Sequence, residues 1–280
     1  MRWHWILILS LPAWGWNNTG HKTVAYVAYS NLEKTQKQAV DTVMQRHPFY
    51  ARWTSGVAAS ERGRAAFVSA ATWPDDIRGD SKFHHGEWHY IDFPFSPDAT
   101  SFPPADLTAP SALTKIGEFR RSVADKSVDE AERAIQASWL IHLVGDVHQP
   151  LHATARFIRS LPNGDRGGNL VFVQGASNLH SYWDGLLGQT DTRAFITKLA
   201  ASIMQTVPKE SPVEMIERKW IDESFEISKK EVYSFGDGPT SKRNPAILSD
   251  AYKVAARKIA RTRAALAGYR LAALFNESFR

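Results

Sequence analysis

Apolar residues recur at intervals of three and four along most of this chain, which predicts a mainly α protein. Helices are expected over residues 20–32 (with Val24, Val27 and Ala28 on the apolar side), 34–46, 60–72, 111–123, 128–147, 192–206, 213–232 and 245–275. The third should end near Trp73-Pro74, and Pro245 suits the first turn of the last. Two short alternating stretches, 88–93 and 170–174, predict strands and a small β-hairpin. Residues 163–169 read as the turn before the second stretch. Segment 93–110 contains five prolines and is expected to be a long ordered loop. No repeat, low-complexity linker or charge run marks a boundary, so residues 16–280 are expected to form a single domain.

Residues 1–15 depart from the helical pattern. Arg2 supplies a basic start, residues 3–11 are mostly apolar, and Ala13-Trp14-Gly15 places small residues at −3 and −1 of a cleavage site. This predicts a secretory signal peptide removed before Trp16, and so an exported protein, periplasmic or secreted. The apolar run is too short to span a bilayer, and no stable membrane association is expected. The chain has no cysteine, so disulfides and thiolate ligands are excluded. Any metal site must use His, Asp, Glu, water or the chain terminus. The formal charge of +5 suits a polyanionic partner but serves solubility equally well. Lys253, Arg257, Lys258, Arg261 and Arg263 on the last helix read as a solvated face.

The densest chemistry lies in His142-Leu143-Val144-Gly145-Asp146-Val147-His148-Gln149-Pro150-Leu151-His152. His142 and Asp146 share one helix face, and Pro150 turns the chain so that His152 takes a second position. Imidazole and carboxylate are ligands zinc accepts. Further candidates are His21 in Gly20-His21, Asp75 in Trp73-Pro74-Asp75, His89 in His89-Tyr90-Ile91-Asp92, and the His180/Asp184 pair, which repeats the His-x-x-x-Asp spacing. Singly, a His or Asp near a helix end is structural more often than not. His148 is expected to orient a neighbour or pack, while His84 and His85 are expected in solvent and His4 and His47 have no assigned role.

Together these motifs resemble the S1/P1 nuclease family of zinc-dependent enzymes, related to bacterial phospholipase C. The resemblance extends from Trp16-Asn17-Asn18-Thr19-Gly20-His21 through Gly145-Asp146-Val147-His148-Gln149-Pro150-Leu151-His152, Gly167-Gly168-Asn169-Leu170 and Asn178-Leu179-His180-Ser181-Tyr182-Trp183-Asp184 to Ala267-Gly268-Tyr269-Arg270-Leu271-Ala272. It implies a multi-helix phospholipase C/P1 nuclease-like fold and three zinc ions. One ion would be held by Asp75, His89, His142 and Asp146, and a second by His152, His180 and Asp184. The third would be held by His21, Asp146 and the backbone amine and carbonyl of Trp16, with Asp146 bridging the first and third.

The implied activity is endonucleolytic hydrolysis of single-stranded DNA and RNA to 5′-phosphates by a monomer, with nucleotides as further substrates through 3′-nucleotidase activity. Asp75 would orient or deprotonate the attacking water and Arg78 would hold the phosphate. Tyr90 would stack a base and Asp92 would hydrogen-bond its edge. Leu186 departs from the Asn many members carry two residues after the last Asp ligand, which leaves base preference open. Asn17 replaces a common Gly, a change expected to be tolerated. The rivals are a phospholipase C, whose relatives carry Glu where this chain has Asp184, and a non-catalytic, zinc-stabilised binding protein.

Overall fold

The computed structural model describes residues 15–211, 213–236 and 238–280, so the expected leader lies outside it except for Gly15. Helices dominate as the periodicity predicts. They are α1 (Asn18–Ser30), α2 (Lys34–Met44), α3 (Tyr50–Thr54), α4 (Arg62–Ala70), α5 (Trp73–Asp76), α6 (Ala112–Ala124), α7 (Glu130–Asp146), α8 (Leu179–Asp184), α9 (Arg193–Thr206), α10 (Glu217–Ile227) and α11 (Asp250–Ser278). No helix among the described residues is long and apolar enough to cross a membrane.

The centre of the molecule is α7. Asp129 caps its start by accepting from the Ala131 and Glu132 amides, and Glu130 and Glu132 complement the positive helix end. From Ala137 to Asp146 every residue is buried, as expected where a helix is apolar on all sides. Helices α1, α2, α4, α6 and α11 surround it. A smaller apolar cluster around Leu151, Leu179, Trp183 and Tyr252 supports α8.

The small sheet is not a hairpin. Strand β1 (Phe93–Phe95) pairs in parallel with β2 (Thr154–Arg156), Phe93 opposite Thr154. A parallel pair needs a long crossover, and α6 and α7 provide it. The expected strand at 88–93 is instead a 3-10 turn, Gly86–His89, followed by β1. The one expected at 170–174 is reduced to a single bridge, Val173 to Ala246. That bridge holds residues 245–248 extended. The last helix therefore begins at Asp250, capped by Ser249, and not at Pro245. The helix expected over 213–232 begins at Glu217, because the Glu214 carboxylate holds the Met215 and Ile216 amides in a turn. It passes into a π-helical turn, Ser228–Val232.

The turn that follows α7 is clamped from outside by α10 and α11. Ser224 donates to the Val147 carbonyl at 2.5 Å and Ser228 to the Pro150 carbonyl at 2.8 Å. Arg263 donates to the His148 carbonyl at 3.3 Å, and Arg270 donates to His148 Nε2 at 3.0 Å. His148 donates its own Nδ1–H to the Val144 carbonyl, so its ring is neutral with both nitrogens used. Glu223 joins both arginines. The expectation of a solvated basic face thus fails at Arg263, which is buried.

Two predictions arise from this packing. Arg270→Met removes the donor to His148 and one partner of Glu223. Because Glu223 keeps Arg263, the loss should be about 2–3 kcal/mol, below that for a fully buried pair, read from a urea melt. The second concerns His47, which stacks on Trp53 at 4.3 Å and meets the edge of Trp73. Burial lowers its pKa from 6.5 to about 3. The unfolded chain then binds the extra proton between those values, so stability falls as pH falls through that window, by up to about 1.4 kcal/mol per pH unit from this group. His47→Gln should remove that part of the slope, measured by denaturant melts from pH 7 to 4.

Candidate metal centre

Five histidines and three aspartates from separate parts of the chain meet in the interior. His21 comes from α1, Asp75 from α5, His89 from the 3-10 turn, His142 and Asp146 from α7, His152 from the turn after it, and His180 and Asp184 from α8. All eight are buried. Local signals explain their placement. Pro74 sits in the first turn of α5 and brings Asp75 inside a helix, where the sequence suggested a position just past a helix end. Asn178 caps α8 by accepting from the Ser181 amide, while Ser181 Oγ accepts from the Asn178 amide. This short helix holds His180 and Asp184 on one face.

Asp146 joins two groups. Its Oδ2 lies 3.0 Å from His89 Nδ1 and 3.1 Å from His142 Nε2, and its Oδ1 lies 3.3 Å from His21 Nε2. Asp75 Oδ1 is 3.8 Å from His142 Nε2 and 3.9 Å from His89 Nδ1. His21 stacks on His142, ring centroids 3.9 Å apart. Gly145 allows that approach, since a Cβ there would lie 2.9 Å from His21 Nδ1. In the third group, His152 Nε2 faces His180 Nε2 at 3.1 Å, and His180 Nε2 is 3.7 Å from Asp184 Oδ1. Three triads each bring their ligand atoms within 4.8 Å: His21, His142 and Asp146; Asp75, His89 and His142; His152, His180 and Asp184.

The imidazoles are oriented by the backbone. His142 Nδ1 donates to the Ala71 carbonyl at 2.7 Å, His152 Nδ1 to the His89 carbonyl at 2.6 Å, and His180 Nδ1 to the Gly167 carbonyl at 2.7 Å. A carbonyl only accepts, so each ring carries its proton on Nδ1, and in the neutral form each keeps the Nε2 lone pair for the cluster. Gly167 reaches His180 because its φ is +57° and a Cβ would come within 2.6 Å of the Leu151 carbonyl.

The electrostatics call for cations. Burial lowers the His21 pKa to about 4, with His142 adding to the effect. Burial opposes charge on His142 too, but Asp146 and Asp75 outweigh it and raise that pKa to about 9. Burial would raise Asp146, yet His142 and His152 hold it well below the usual carboxylate range. Asp184 moves the other way: burial pushes it well above that range, with Gln149 donating at 2.8 Å. Both ring nitrogens of His21, Nε2 of His89 and Oδ1 of Asp146 are buried without a hydrogen bond among the described residues. Carboxylates and imidazoles buried together are costly unless cations lie among them. An all-nitrogen-and-oxygen donor set of this kind fits zinc.

Arg78 pairs with Asp75 at 2.5 Å and is largely buried. Tyr90 is half-buried. Asp92 has an exposed edge, and desolvation with the nearby Asp165 lifts its pKa to about 6. Trp16 is fully buried, and the Gly15–Trp16 junction abuts Asp146 and His21, where a Cβ on Gly15 would collide with Asp146 Oδ1. The Asn17 amide donates to the Asp184 carbonyl, and its side chain caps α1 by accepting from Gly20. Asn17 therefore has a capping function, and Leu186 packs against both apolar clusters. His85 lies flat on Trp88 at 3.6 Å and is half-buried, as is His84. Sequence reasoning missed Gln149, Glu223, Arg263 and Arg270. Gln149 and Arg270 lay inside quoted motifs, whereas Glu223 carried no signal.

Residues 16–280 match the S1/P1 Nuclease family. The chain is 24% identical to "Nuclease S1" of Aspergillus oryzae over 64% of its length and 56% of that protein's. It is 28% identical to "Nuclease P1" of Penicillium citrinum, with 62% and 58% covered. "Endonuclease 4" of Arabidopsis thaliana is 24% identical, with 94% and 89% covered. The aligned part thus spans less than two thirds of the fungal relatives and most of the plant one. With the match running from the buried Trp16 to the last residue and taking in every member of the His/Asp cluster, the chain belongs to the S1/P1 nuclease family.

Proposed function

We propose that this protein is an exported zinc-dependent endonuclease, acting as a monomer on single-stranded DNA and RNA and leaving 5′-phosphates, with 3′-nucleotidase activity alongside. The observation that carries this reading is the Asp146 carboxylate set between His21 on one side and His89 and His142 on the other. Asp75, His89, His142 and Asp146 would hold one zinc, and His152, His180 and Asp184 a second. His21, Asp146 and the backbone amine and carbonyl of Trp16 would hold a third. An α-amine has a pKa of about 7.7–8.0, so removal of residues 1–15 would create a ligand able to lose its proton near neutrality. When bound, zinc supplies Lewis acidity to water and to a phosphoryl oxygen.

The chain's own groups do the rest. Asp75, its Oδ1 held by Arg78, orients the attacking water and accepts its proton. The Arg78 guanidinium offers a planar fork to the phosphate and the charge that gathers on it. Tyr90 stacks a base, and Asp92 accepts from the base edge when ionised, which its pKa near 6 allows at neutral pH. Family membership together with the paired imidazole triads supports hydrolysis over mere metal storage.

The test compares Asp146→Asn with Arg78→Ala on single-stranded DNA, with zinc content measured on both and phosphatidylcholine as the control ester. Arg78→Ala should keep its zinc and lose about a hundredfold in kcat. Asp146→Asn should lose zinc and more activity, since it disturbs two sites. Small and equal losses, or preferred cleavage of the lipid, would overturn the assignment.

A further inference from the structure

Away from the His/Asp cluster, a small open cleft of about 140 Å³ lies between α1, α4 and the start of α9. That is below the roughly 300–1,000 Å³ of sites that enclose a whole ligand, so a ligand seated there stays partly in solvent. Lys22 and Tyr26, one turn apart on α1, line it together with Arg64, Trp53 and Arg193. Lys22 pairs with Asp191 at 2.5 Å, and Arg64 pairs with Glu61. The Arg64 guanidinium lies over the Tyr26 ring, 5.5 Å from its centroid. Arg193 is exposed, and its side chain has no hydrogen bond or ion pair among the described residues. Three cations against two carboxylates leave the cleft one net positive charge.

The cleft is next to the metal centre but separate from it. Lys22 follows His21 in the chain, and the charges of Lys22 and Arg52 reach Asp76, the neighbour of Asp75. The segment that carries Asp191 and Arg193 is tied to the start of α1, where Asn17 Nδ2 donates to the Gly188 carbonyl at 2.7 Å.

We propose that this cleft is an additional nucleotide subsite, which takes one base and one phosphate of the single strand at a distance from the scissile bond. The inference rests on the nuclease reading above. With one face of Tyr26 taken by Arg64 and one face of Trp53 by His47, the remaining surface of these half-buried rings is what the cleft offers to a base. Arg193, without a partner among the described residues, meets the phosphate, and Arg64 and Lys22 exchange part of their pairing with Glu61 and Asp191 for it. Cationic groups beside aromatic rings match single-stranded nucleic acid better than an apolar or cationic ligand. The subsite adds affinity for long strands and leaves the chemical step untouched.

The test is steady-state kinetics on a 12-nucleotide single strand and on a dinucleotide too short to reach the cleft, for wild type, Arg193→Gln and Tyr26→Leu. On the long strand, Arg193→Gln should raise KM about fivefold and flatten the slope of log KM against log salt by about 0.7, the loss of one phosphate contact. Tyr26→Leu should raise that KM about tenfold and leave the salt slope unchanged. Dinucleotide kinetics and kcat should match wild type in both. Arg193 is exposed, so its variant separates binding from folding even if Tyr26→Leu is destabilised. Parallel changes on both substrates, or none on the long strand, would overturn the subsite. A wild-type protein inert on both would instead overturn the nuclease reading.

Discussion

The structure is organised around one carboxylate that has no access to water. Asp146 is fully buried at the end of α7, with imidazoles at both oxygens. A carboxylate in that position is tolerated only with compensating positive charge close by, which explains why distant parts of the chain converge there. Helix α1 brings His21, with Gly145 giving it room. The pairing of Ile91 with His152, continued by β1 and β2, brings the turn that carries His89 against the turn that carries His152.

Two layers of hydrogen bonds keep these rings in place. In the inner layer the carbonyls of Ala71, His89 and Gly167 each hold an Nδ1 proton, which fixes both the tautomer and the ring plane. Ligand atoms placed this way need little reorganisation when a cation binds. In the outer layer Ser224, Ser228, Arg263 and Arg270 grip the backbone and the His148 ring between Asp146 and His152. That stretch lacks a regular helical ladder of its own, so without these donors the Val147 and His148 carbonyls would lose their partners, and the Pro150 carbonyl would lose Ser228 and keep Thr154. Stability of the fold and order in the site therefore share the same contacts.

The chemistry was more legible than the architecture. His142 with Asp146 and His180 with Asp184 stand four residues apart, and a helix puts such residues on one face whatever surrounds it. Helical periodicity likewise located most of the long helices to within a few residues. What escaped depended on partners distant in sequence. Phe93–Phe95 is too short to alternate visibly, and its parallel mate lies beyond two helices. Pro245 suggested a helix start, but pairing of Ala246 with Phe172 and Gln174 holds that segment extended. Arg263 looked like one more surface cation until Glu223 and His148 were seen to enclose it. The role of Glu223 is legible only after α10 and α11 are packed together.

The most direct test of the central claim is elemental analysis of zinc in folded protein that begins at Trp16, with stability followed during metal removal. The expected result is about three zinc ions per chain, with loss of metal accompanied by loss of stability as buried carboxylates and imidazoles are left to face one another. A folded protein that carries one ion or none, and whose stability does not change on exposure to a chelator, would contradict it.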